Sequence, residues 1–97
     1  MSPSPKPRVS IEYCPRCGWL LRAAWLAQEL LTTFENDVAG VELRPSETSG
    51  TFEIRVDEAV VWNRQVDQGF PQAAELKRRV RDRVAPGRAL GHSETKS

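Results

Sequence analysis

The sequence predicts an α/β domain in which helices cover a four-stranded mixed sheet. Three observations carry this. Val9, Ile11 and Tyr13 alternate with Arg8, Ser10 and Glu12, and Phe52, Ile54 and Val56 alternate in the same way, which is the period of a half-buried strand. Between Leu20 and Phe34 the apolar residues recur at three- and four-residue intervals, the period of a helix. The order of these segments then fixes their pairing. A strand, a helix and a second strand form a crossover, so those strands lie parallel. Two strands separated only by "DEA" can pair only as an antiparallel hairpin.

Each element follows in turn. The first strand runs through Val9, Ile11 and Tyr13. The first helix presents Leu20, Ala23, Ala24, Ala27, Leu30, Leu31 and Phe34 as a wide stripe, and Asn36, Asp37 and Gly40 close it as turn residues. "VAGVELRP" supplies a short strand around Val41 and Leu43, ended by Pro45, and "SETSG" is a polar loop. "TFEIRV" and "VVWN" form the hairpin, and "QVDQGF" is a loop. Pro71 suits the first turn of a last helix whose apolar face is Ala73, Leu76, Val80 and Val84. The order is β-α-β-β-β-α, a two- or three-layer sandwich of thioredoxin-like type. The flanks differ in composition. Residues 1–7 hold three prolines and residues 85–97 are Gly-rich and polar, so both are expected to be disordered around a domain spanning 8–84.

A chain of 97 residues is one domain with a thin core. The net charge of +1 argues for no particular partner, and no nucleic acid is expected among them. No apolar run approaches the roughly 20 residues that span a bilayer. "MSPSPKPR" has no apolar segment of a secretory signal, so the expected location is the cytoplasm. Thiols there are kept reduced, and a close cysteine pair points to catalysis or metal rather than to a structural staple.

The chain has two cysteines, Cys14 and Cys17, spaced C-x-x-C between the first strand and the first helix. The spacing places Cys17 in the first helical turn, where unpaired N–H groups and the helix dipole favour a thiolate. Arg16 adds a positive charge between them, and Pro15 suits a helix start. An ordinary thiol is mostly protonated at neutral pH, whereas one lowered to a pKa of about 7 is roughly half thiolate, the nucleophilic form. Two intervening residues also let the sulfurs bond without large backbone movement. Reversible disulfide chemistry therefore outweighs two alternatives. A zinc site needs four ligands. The only histidine, His92, lies in the tail, so zinc would need either carboxylates at distant positions or two chains sharing their cysteines. A buried inert pair conflicts with the exposure usual where a loop enters a helix.

At "YCPRCGW", with "SGTFEIRV" and "GFP" downstream, the chain resembles the selenoprotein W-related family (SelT/SelW/SelH, Rdx), as a cysteine-containing, bacterial-type member. The resemblance runs from Arg8 to Val84 and rests on Gly18-Trp19 beside the cysteines, Ser49-Gly50-Thr51-Phe52 opening the third strand, and Gly69-Phe70-Pro71 opening the last helix. It implies a thioredoxin-like fold and thiol redox activity, with glutathione or a thioredoxin system as the reductant and no bound cofactor. It also puts Cys17 at the position that carries selenium in animal members, whereas the helix-terminus argument favours Cys14 as the exposed attacker. Thioredoxins place a cis-proline before the third strand; here Ser49-Gly50 stand there instead.

The expected function is a thiol–disulfide oxidoreductase acting on protein thiols or disulfides through Cys14 and Cys17. Arg16, Gly18, Trp19, Ser49, Gly50 and Phe70 are expected around a bound partner. The alternative is a non-catalytic redox sensor whose disulfide alters a surface around Trp19 and Phe70. Trp19 is equally suited to forming a platform and to packing on the hairpin, while Trp25 and Trp62 are expected to pack. Tyr13 should face the core. The basic run Lys77, Arg78, Arg79, Arg81 and Arg83 reads as a solvated helix face.

Overall fold

The computed structural model describes residues 5–90. The elements are β1 (Arg8–Tyr13), α1 (Leu20–Phe34), β2 (Gly40–Pro45), β3 (Phe52–Val56), β4 (Ala59–Asn63), α2 (Arg64–Asp67) and α3 (Ala73–Val84). The sheet order is β2-β1-β3-β4. β1 and β2 are parallel, while β1–β3 and β3–β4 are antiparallel, as the connections require.

Register explains the core. Val9 faces Val56, Ile11 faces Ile54 and Tyr13 faces Phe52 across the β1–β3 ladder, and all six are buried. Their alternate neighbours, including Glu12, Glu53 and Arg55, point to the other face. The helices contribute Ala23, Leu26, Ala27, Leu30, Phe34, Leu76 and Val80 to the same apolar cluster. The architecture is therefore two layers, with the far side of the sheet charged. In β4 a bulge opposite Ile54 and Arg55 leaves Val61 as an extra residue, and Val61 and Trp62 are both buried as a result.

Several expectations are corrected. α1 begins at Leu20, three residues beyond Cys17, so neither Cys17 nor Pro15 lies in its first turn. The buried stripe of α1 includes Leu26 and leaves Leu20 and Leu31 exposed. Apolar residues encircle much of this helix, so spacing alone could not choose the face. Trp62 packs as expected, but Trp25 is 43% exposed. Pro71 precedes α3, whose N-cap is Gln72.

The loop after β4 contains the short helix α2, capped by the Asn63 side chain, which accepts from the N–H groups of Gln65 and Val66 at 3.0 Å. Asp67 closes this turn by accepting from the Asn63 N–H at 2.9 Å. That bond, with Arg79 beyond it, holds the Asp67 carboxyl below its ordinary range.

The basic helix α3 is engaged with the rest of the fold. Lys77 pairs with Glu29 at 2.9 Å, and Arg79 bonds Asp67, Glu75 and the Val61 carbonyl while stacking on Trp62. Residues 85–90, which composition assigned to the tail, pack on the body. Leu90 is buried, and Arg88 pairs with Asp37, donates to the Thr33 carbonyl at 2.9 Å and lies over the Phe34 ring. The expected disorder of 1–4 and 91–97, His92 included, lies outside the described residues. Among the described residues no helix is long and apolar enough to cross a membrane.

Candidate functional site

Cys14 continues directly from β1 and Cys17 sits in the turn that follows. The turn is wound by Gly18 N–H donating to the Pro15 carbonyl at 3.1 Å and Trp19 N–H donating to the Cys14 carbonyl at 3.4 Å. Gly18 makes this possible with φ of 76°, a conformation L side chains rarely adopt. The winding sets the Cα atoms of Cys14 and Cys17 5.3 Å apart, with the sulfurs at disulfide-bonding distance. The N–H of Cys17 also points at the Cys14 sulfur, 3.2 Å away.

The two sulfurs are not equivalent. Cys14 is 1% exposed, whereas Cys17 is only partly buried. Cys14 is therefore the less exposed of the pair, contrary to the exposure that the helix-terminus argument expected of it. Cys14, the first residue after β1, is buried, whereas Cys17 sits partly buried in the turn. Arg16, between them, is exposed.

The expected flanking segments do converge on this turn. The register Tyr13–Phe52 brings the loop before β3 to the end of β1. The indole N–H of Trp62 donates to the Gly69 carbonyl at 2.9 Å, which holds the Gly-Phe-Pro loop in place. Trp19, Phe52 and Phe70 then form an edge-to-face trio, with centroids 4.9 Å apart for Trp19–Phe70 and 5.0 Å for Phe52–Phe70. Trp19 is half-buried in that trio, so packing is its first role. Ser49 is exposed and Gly50 takes φ of 82°, and both line a shallow cleft with Thr48, Thr51, Arg64 and Gln65. There is no cis peptide bond among the described residues.

Arg22 and Arg64 were not anticipated here. The Arg64 guanidinium lies 5.0 Å from the Trp19 ring and donates to the Gly50 carbonyl at 3.4 Å, joining the two loops. Arg22 lies 4.1 Å over Phe70. Neither has a local sequence signal, because α2 itself was not foreseen and Arg22 meets Phe70 only through the fold. Among the described residues, no three or more His, Cys, Asp or Glu side chains are grouped as metal ligands would be.

A strand ending in a C-x-x-C turn, followed by a helix packed on a mixed sheet, defines a thioredoxin-like redox fold. The chain belongs to the Rdx family, whose description matches residues 8–82. Among solved structures it is similar to a protein from Bordetella parapertussis, at 55% identity over 80% of this chain and 98% of that one, with a TM-score of 0.78. It is also similar to a selenoprotein W-related protein from Vibrio cholerae, at 47% identity over 81% of this chain and 98% of that one, with a TM-score of 0.79. No curated protein matches. The resemblance read from the C-x-x-C, Ser-Gly-Thr-Phe and Gly-Phe-Pro segments is thus borne out at the level of family and fold, and this family and the joined cysteines support a redox role.

Proposed function

We propose that this chain is a thiol–disulfide oxidoreductase of the cytoplasm that cycles between a Cys14/Cys17 dithiol and their disulfide. The observation that carries the reading is the bonded pair with unequal burial: Cys17 is partly exposed and Cys14 is buried. In the reducing direction the Cys17 thiolate attacks a partner disulfide. A mixed disulfide forms between Cys17 and one partner sulfur, and the other partner sulfur leaves as a thiolate and takes a proton. Cys14, as thiolate, then attacks the Cys17 sulfur. The mixed disulfide breaks, the second partner thiol departs, and the two electrons gained by the partner have come from the dithiol. The Cys17 N–H beside the Cys14 sulfur favours charge on that sulfur, so Cys14 is suited to resolving and, in the reverse direction, to leaving. Protein thiols and disulfides are the proposed partners, with glutathione or a thioredoxin system returning the dithiol.

The test is covalent trapping. A Cys14→Ser variant should accumulate mixed disulfides through Cys17, visible by mass, while Cys17→Ser should trap little. Trapping by Cys17→Ser alone would reverse the roles. Many turnovers of a disulfide substrate per protein molecule would support catalysis, whereas a single oxidation event with a large change in partner affinity would favour the sensor.

A further inference from the structure

Six large apolar side chains are exposed among the described residues, and four of them lie on α1: Leu20 at 45%, Leu21 at 81%, Trp25 at 43% and Leu31 at 39%. Scattered singly, such residues need no explanation. Here they share one side of one helix with Gln28 and Thr32, also exposed, and none of these side chains is charged. The face begins three residues after Cys17. One turn beyond Trp25, Glu29 is held by Lys77 at 2.9 Å.

Charge near the start of this face is one-sided. From Tyr13 to Gln28 the chain has no Asp or Glu, while Arg16 and Arg22 fall within it. Arg22 is exposed and fixed over Phe70, so its charge stays beside the redox turn. A second copy seated here would bring the same cations together and close over the sulfur that has to be reached.

Resting on the redox reading above, we propose that the outer face of α1 docks the polypeptide that exchanges disulfides with Cys17, and that this partner carries apolar and acidic residues next to its reactive cysteine. The apolar side chains meet Leu21 and Trp25, and the carboxylates meet Arg16 and Arg22. The face thus acts as the specificity surface of the site: it adds nothing to the sulfur chemistry and selects which disulfide reaches it.

The probes are two synthetic peptides, each with one cysteine in mixed disulfide with 2-mercaptoethanol, one flanked by Leu and Glu and the other by Leu and Lys. Hydroxyethyl disulfide serves as a small uncharged substrate. Each reaction oxidises the protein dithiol and releases two thiols. At low salt the Glu peptide should react roughly tenfold faster than the Lys peptide, and raising the salt should narrow the gap. Leu21→Asp, at an exposed position, should slow the Glu peptide by roughly tenfold and leave hydroxyethyl disulfide at the wild-type rate. Equal rates for the two peptides, or no effect of Leu21→Asp, would overturn the docking surface. So would a wild-type dimer in sedimentation that Leu21→Asp dissociates, since the face would then belong to a second copy. Failure of the wild-type dithiol to react with hydroxyethyl disulfide would instead sink the redox reading itself.

Discussion

Gly18 decides whether the two cysteines can meet. Its positive φ turns the chain back so that its own N–H reaches Pro15 and the next reaches Cys14. A methyl group placed there would meet nothing within 4 Å, so the cost of a side chain is that of the backbone conformation alone. Gly18→Ala should therefore lower stability by about 1 kcal/mol, a fall in Tm of roughly 4–8 °C for a domain of this size. An unchanged Tm would mean that the turn relaxes out of the left-handed region. At this same scale the sequence was legible for the identity of the redox pair and illegible for its asymmetry. C-x-x-C announces that two sulfurs are close. Which one is covered is decided by burial in the folded domain, which the spacing does not record.

At the scale of elements, α2 shows how a short segment escapes sequence reading. Four residues are too few for an apolar period to register, and "RQVD" buries none of them. Its stability is local, coming from the Asn63 cap and the Asp67 carboxylate. Yet this segment carries Arg64 to Trp19 and Gly50. Asn63→Ala should cost about 1 kcal/mol, read as a lower urea midpoint, and should speed hydrogen exchange at the Gln65 and Val66 amides; Asn63→Asp should restore both. If exchange at those two amides is unaltered by the alanine, the cap is not what holds the helix. The strands were easier to read because alternation is a local signal. Helix α1 was read as a helix for the same reason, but its buried side was not. With leucines, alanines and a tryptophan on nearly all sides, the choice of side fell to the sheet on which it packs.

For the whole molecule, the sheet order puts β1 and β3 at the centre, and the cysteine turn and the loop before β3 meet where β1 ends and β3 begins. The closing segment 85–90 belongs to this body. Arg88 ties it to the end of α1 through Asp37, Thr33 and Phe34, Arg81 donates to the Arg88 carbonyl at 3.0 Å, and Leu90 joins the core. A chain ending at Val84 should be less stable than one ending at Leu90 by about 2 kcal/mol, chiefly from the loss of one buried leucine, with denaturant unfolding as the measure. Equal midpoints for the two would place residues 85–90 outside the cooperative unit. Composition assigned this segment to a tail because Pro-Gly stops a helix. Composition carries no information on whether a chain that has left one helix lands on another.

By itself the sequence determined the α/β order, the parallel and antiparallel pairings, the family and the two sulfurs, because alternation, helical period, linker length and a short motif are all properties of neighbours along the chain. Only the tertiary structure decided that Cys14 is buried and Cys17 partly exposed, that α1 turns an uncharged face outward, and that Arg22 and Arg64 stand over Phe70 and Trp19. Burial and through-space contact are set by residues dozens of positions away, and no local pattern records them.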